Sequence, residues 1–457
     1  MASLVPLPFV DLLFALERRR HGRQVRQATS PKWSARSVPV GGALAALGAV
    51  AFLVWLAWPA PPTSEAWIRA QDQPTTLEEL DAWYPAVPDE ENVALRYLDI
   101  EKELGAKHRI FLDEQLRERN QEDVNDILDL LPIVGGAEIS PGEPLSRNVQ
   151  EMMEAYFNEV TAPSLAPLLE LSAKEDQPSR YPIDLTLGYS VGFANLSANR
   201  VLARHLALAS LYYSGTGDSE RSVDAALAIY PVVNSLENEP LFASQLTRLA
   251  VMGIATASVE QVMNRMALTS ESLLRIERAL QGAVPPAEQE MMLDRAMIGE
   301  RAMALSYTRL AASPILGQLQ GRLSNPSLLC ALPLAAEGVL MPIPGRDLLT
   351  LLAFEYLHPH FANRAYRGGT RDDWELVFIP ASSYLNPALM ILIPSFGFAY
   401  EAEWRTRTEL DMARVAVAVE RYRLAEGRLP ADLGALVPTY LPEVPHDYYD
   451  RAGGPLR

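Results

Sequence analysis

Residues 195–236 read NLSANRVLARHLALASLYYSGTGDSERSVDAALAIYPVVNSL. In the first half Leu202, His205, Leu206 and Ala209 recur three or four residues apart. In the second half Val223, Ala226, Leu227 and Tyr230 do the same. That spacing gathers each set on one face of a helix, ready for burial. Ser214-Gly215-Thr216-Gly217 between them is a turn signal. The stretch predicts a helical hairpin, Asn195–Tyr213 and Ser219–Leu236, whose second arm Pro231 kinks or ends early.

Working outward, the body predicts further helices. Thr75-Thr76-Leu77-Glu78-Glu79 offers two overlapping capping boxes, Thr75 with Glu78 and Thr76 with Glu79. Trp83 to Pro88 ends that short helix, Glu90 to Leu131 reads as one or two charged helices, and Gly135 to Pro144 is a loop. Helices are also expected over Pro240–Met266, Thr269–Leu280 and Pro286–Ala312, with Thr269 or Ser270 capping the second. The 195–236 hairpin resembles a tetratricopeptide-type unit, but no second copy recurs at a fixed period, so no solenoid is expected.

Upstream, Val38 to Ala60 is an uncharged run of 23 residues, VPVGGALAALGAVAFLVWLAWPA. As a helix it measures roughly 35 Å, enough for a hydrocarbon core of about 30 Å. Residues 1–37 hold seven basic residues, among them Arg18, Arg19, Arg20, Arg23 and Arg26, against Asp11 and Glu17; the whole chain carries −17. A basic flank stays cytoplasmic, so the expectation is an uncleaved signal anchor. The protein would be single-pass in a bacterial inner membrane, with its N-terminus inside and its bulk periplasmic. The acidic body argues against nucleic-acid binding. The single cysteine, Cys330, permits no internal disulfide. Two later stretches, Leu323–Ala336 and Leu376–Tyr400, are also apolar; Pro380, Pro387 and Pro394 favour a buried irregular core segment over a second span for the latter.

Few residues carry a chemical signature. Gly188-Tyr189-Ser190-Val191-Gly192 matches the nucleophile elbow of serine hydrolases, with Ser190 as nucleophile and His358, His360 or His446 available downstream as base. The alternating strands and helices that such an enzyme needs are missing from the sequence, and a tight glycine turn is the plainer reading. His358-Pro359-His360 could share a metal, with Glu355 near in sequence, but a complete ligand set is wanting. His205 reads as a core histidine, Cys330 as an inert buried thiol. No cofactor motif is present.

At the C-terminus, Glu401–Glu426 predicts a long helix with the apolar stripe Met412, Val415, Ala416, Val419 and Tyr422; Asp411, Arg414 and Arg421 fall on another face. Gly427 can end it. Arg428-Leu429-Pro430, a helical turn near Leu433–Val437 and Tyr440-Leu441-Pro442…Pro445…Asp447 follow. Val419 to Arg423 with Tyr422, Gly427 and Pro430, and then the Tyr-Leu-Pro run, resemble the soluble half of type II secretion major pseudopilins. That resemblance implies a small sheet and, in some members, a calcium loop. Asp447 and Asp450 would be ligands in such a loop. Leu77–Asn92, Glu239–Leu246 and Glu300-Arg301-Ala302 are similar to stretches of bacterial envelope proteins that join one anchor, a helical region and this tail; no activity comes with that likeness.

The sequence thus predicts a mainly α protein in four parts. These are a basic head (1–37), a transmembrane anchor (38–60), a helical extracytoplasmic domain (61–400) and a small α+β pseudopilin-like module (401–457). The expected role is a non-enzymatic scaffold binding a protein partner of the envelope. A serine hydrolase using Ser190 and a pseudopilin-like subunit are the alternatives.

Overall fold

Helix α1 (Leu77–Trp83) begins where the overlapping boxes put it. Thr76 is the N-cap and its Oγ accepts the Glu79 N–H at 3.1 Å, while the Glu79 carboxylate reaches back to the Thr75 N–H and hydroxyl. The structure, a computed structural model, describes residues 68–119, 123–140, 142–174, 177–283, 292–303, 306, 387–447 and 454–456, all within a unit spanning 61–457.

The charged stretch resolves into α2 (Val93–Arg119) and α3 (Val124–Leu128). Then α4 (Arg147–Tyr156) runs through a π-helical segment (Phe157–Thr161) into α5 (Ala162–Ser172), and a 3₁₀ segment (Leu185–Ser190) leads to the hairpin. Its first arm, α6 (Ala194–Thr216), ends at Gly217; its second, α7 (Ser219–Leu227), stops at Ala228 before α8 (Ile229–Asn234). The break sits where Pro231 demands it. Proline offers no N–H to the Leu227 carbonyl four residues back and its ring crowds that group. Leu202, Leu206, Ala209, Val223, Ala226 and Tyr230 are buried.

Across the hairpin lie α9 (Phe242–Arg265) and α10 (Ser270–Gly282), the latter capped by Thr269, whose Oγ accepts the Ser272 N–H at 3.1 Å. Residues 294–303 form α11, and α12 (Pro387–Glu426) packs on α9 and α10. One hydrophobic core joins α2, α4 to α10 and the middle of α12, through Leu410 and Val417.

Three expectations are corrected. The first concerns α12, which starts at Pro387 rather than Glu401, so 387–400 is helical, not irregular. Its inward face is also different. Met412 is 58% exposed and Ala416 is exposed, whereas Glu403, Arg407, Leu410 and Val417 are buried. Arg421 pairs with Glu277 of α10. Hydropathy alone assigned the stripe, but the Arg421–Glu277 ion pair and the hydrogen bonds of Glu403 to the Met292 and Leu293 N–H groups hold this face on the body. Val419 and Tyr422 serve instead as a bed for the C-terminal coil.

The second is the α+β tail. No strand occurs among the described residues; a 3₁₀ turn (Leu433–Leu436) and one isolated antiparallel bridge, His446 to Pro455, stand where a small sheet was expected.

The third is the membrane anchor. Among the described residues no helix is long and apolar enough to cross a membrane, which overturns the expected transmembrane signal anchor and single-pass inner-membrane address. Length and apolarity do not coincide in them: α2 carries charge along its length, and α12 does so from Glu401 onward. The head 1–37 and the run 38–60, on which the expectation rested, lie outside the described residues, as does Leu323–Ala336.

Candidate functional site

Ser190 closes the 3₁₀ segment and is exposed. The residue with unusual backbone there is Gly188, at φ 54° and ψ −129°, a region open in practice to glycine alone. A nucleophile elbow would place the serine itself on the strained turn, after a strand. Here Ser190 has no positive φ, and a 3₁₀ turn replaces the strand. The described histidines are engaged elsewhere: His108 with Tyr156, His205 with Thr161, and His446 in the C-terminal bridge. His358, His360, Cys330 and Asp450 lie outside the described residues. Asp447 is half-buried, and its N–H donates to the Gly454 carbonyl at 2.8 Å. No group of three or more His, Cys, Asp or Glu able to hold a metal occurs among the described residues.

The structure does join three stretches that the sequence left unconnected. Leu80 and Tyr84 from α1 and its end, Leu241 from the corner before α9, and Ala302 and Met303 from α11 share one small core. The approach is close: a Cβ on Gly299 would stand 1.8 Å from the Pro240 carbonyl oxygen, so only glycine fits there.

Around this core runs a chain of polar contacts, partly buried at Asn92 and Arg180 and fully buried from Tyr181 to Glu239. The Asn92 side chain donates to the Arg180 carbonyl at 2.8 Å and accepts the Arg180 N–H at 3.0 Å. The Arg180 guanidinium lies over the Tyr84 ring at 4.3 Å, donates to the Tyr84 carbonyl and bonds Asp81 at 3.0 Å. The Tyr84 hydroxyl accepts the Tyr181 N–H, and the Tyr181 hydroxyl donates to Asn199 Oδ1 at 2.8 Å. Glu239, 1% exposed, ends the chain, receiving Asn195 Nδ2 at 3.0 Å on both oxygens and the Ser244 hydroxyl at 2.7 Å. Burial pushes its carboxyl up to about 7, against the lowering effect of those two donors. Half-buried Glu300 on α11 accepts the Phe242 N–H, the first of α9, at 3.2 Å. Arg301 beside it is fully buried. Its Nη2 donates to Gln73 Oε1 at 2.6 Å, and its Nε and Nη1 have no partner.

A second polar cluster sits at the π-helical segment. The Tyr156 hydroxyl is 2.7 Å from His108 Nδ1, and Thr161 Oγ is 2.9 Å from His205 Nδ1. The Tyr156 ring stacks on His205 and meets His108 edge-on.

The C-terminal coil forms an open cleft of about 440 Å³ lined by Pro430, Asp432, Leu433, Val444, Pro455 and Leu456. Leu429 beside it is 65% exposed. The carboxylate in the lining, Asp432, caps the 3₁₀ turn by accepting the Ala435 N–H at 3.0 Å.

Sequence reasoning did not identify Glu239, Glu300 or Arg301 as buried polar groups. The signal was partial: the stretches holding them stood out by resemblance, but nothing in their spacing joins residues about sixty positions apart. Comparison of the chain with protein-family profiles, with curated proteins and with solved structures returns no match.

Proposed function

We propose that this chain is a non-enzymatic helical scaffold that binds an extended apolar segment of a partner protein in the C-terminal cleft. The observation that carries this reading is the composition of the cleft. Five apolar side chains, with Leu429 exposed beside them, line an open cleft whose volume falls within the range of ligand sites. The cleft lining contains no nucleophile, and its carboxylate already serves as a helical cap. Elsewhere the convergent polar groups are buried and bonded mostly to one another, an arrangement that fixes helices in place.

A photoreactive residue at Leu429 is the direct test. It should crosslink to a defined protein in cells of the source organism, while the same residue at exposed Thr216 should not. Leu433→Glu should abolish the crosslink without changing the thermal midpoint by more than a few degrees. Equal labelling from both positions would sink the proposal. A serine-directed fluorophosphonate probes the enzymatic alternative: labelling that is lost in Ser190→Ala would replace the scaffold by a hydrolase.

A further inference from the structure

We infer that His108, Tyr156 and His205 form an acid-responsive latch that holds the π-helical segment Phe157–Thr161 between α2 and α6.

The geometry supplies the latch. Three helices contribute one ring each: His108 from α2, Tyr156 from α4 and His205 from α6, with Tyr156 between the two imidazoles. Thr161, at the end of the π segment, is tied to His205. A π turn is a rare and poorly stabilised form of helix, so its persistence depends on side-chain contacts of this kind. Phe157 adds a ring stack on Tyr212 of α6 at 3.9 Å between centroids.

Protonation opposes this arrangement. His205 is 4% exposed, and a charged imidazole there would lack solvent. Burial, and then the charge of His108, hold it down to about 3; burial and the neighbouring Arg109 lower His108. The neighbouring charges that lower the pair are those of Arg109, beside His108 on α2, and of His108 itself on His205. Lys107, one position earlier on α2, is already paired with Glu103 and donates to Ser164 of α5. A group whose folded pKa is depressed contributes stability above its unfolded pKa, and that contribution is lost as pH falls. The loss begins below about 6.5 and favours any local opening that lets the imidazoles meet water. His108, half-buried, is the entry point.

Hydrogen–deuterium exchange of the full chain at two pH values, corrected for the intrinsic pH effect, tests the latch. Between pH 7.5 and pH 5 the amides of 154–163 should exchange about tenfold faster, while those in the middle of α9 stay unchanged. His108→Gln keeps a hydrogen-bonding group opposite Tyr156 but does not titrate, and should reduce that rise to about threefold or less. His205→Gln should do the same if it folds; His108→Gln stands alone if it does not. A wild-type segment with constant protection, an unchanged rise in His108→Gln, or equal acceleration in α9 would overturn the inference.

Discussion

Glu403 and Arg407, one turn apart on α12, form an ion pair at 2.9 Å with side chains 0% and 2% exposed. The same carboxylate accepts the Met292 N–H at 2.7 Å and the Leu293 N–H at 3.1 Å. Glu403 thus satisfies backbone donors at the start of α11 while its charge is balanced within its own helix. These bonds tie together segments 110 or more positions apart in the chain. Removing one member of a buried pair leaves the other charge uncompensated, at a cost of about 3–5 kcal/mol. Glu403→Ala should lose about that much in urea unfolding, and amides of 292–303 should lose protection first. A loss below about 1 kcal/mol would mean that water replaces the carboxylate freely.

Glu239 and His205 impose opposite pH dependences on the same fold. Glu239 is pushed up from 4.5 to about 7, so its contribution is full below 4.5 and declines as pH rises through 7. Its share of the decline is on the order of 3 kcal/mol. Glu239→Gln should flatten this limb. The neutral amide can still accept the Ser244 hydroxyl, and it can donate to Asn195 Oδ1, a buried acceptor without a partner, once the Asn195 amide turns over. The measurement is the urea midpoint from pH 4 to pH 8 in both proteins. Parallel curves would show that Glu239 does not titrate in this range.

Several of the helices were legible in the sequence because they carry their own start or stop. Thr76, Thr269, Pro231 and Gly427 act within a turn of their own position, and a local pattern records local causes. The inward face of α12 was not legible. Its ion pair with Glu277 and its bond to residue 292 depend on partners more than 100 positions away, and Met412 reads as core by hydropathy alone. The same applies to the candidate site: Gly188 marks a real turn at Ser190, but the lining of the cleft combines residues 430–434 with 455–456, which only folding brings together.

Two helical glycines should respond oppositely to alanine. At Gly299 the new methyl would meet the Pro240 carbonyl at 1.8 Å, and backbone on both sides would have to part. Gly299→Ala should cost about 2–3 kcal/mol, at the severe end of overpacking. Gly253, within α9, has nothing within 4 Å of an added Cβ. Gly253→Ala should gain about 0.5–1 kcal/mol, because alanine loses less backbone entropy in a helix. Thermal midpoints of the two variants should move in opposite directions, and a shared direction would contradict the close approach of α11 to Pro240.

Arg301 offers the sharpest contrast with Glu403. Its guanidinium is buried, its Nε and Nη1 lack acceptors, and burial pulls it down to about 10, with Gln73 as the partner of Nη2. Glu300 next to it is turned to the Phe242 N–H. Desolvating a charge without compensation costs several kcal/mol, more than one bond to an amide oxygen returns. Arg301→Met keeps most of the length and volume while removing the charge. It should raise stability by about 1–3 kcal/mol, as buried ionic groups replaced by apolar ones of similar size often do. Arg301→Lys keeps the charge but concentrates it on one nitrogen and should not stabilise. Urea midpoints at pH 7 separate the outcomes: destabilisation by methionine together with tolerance of lysine would mean that the charge is compensated in solution.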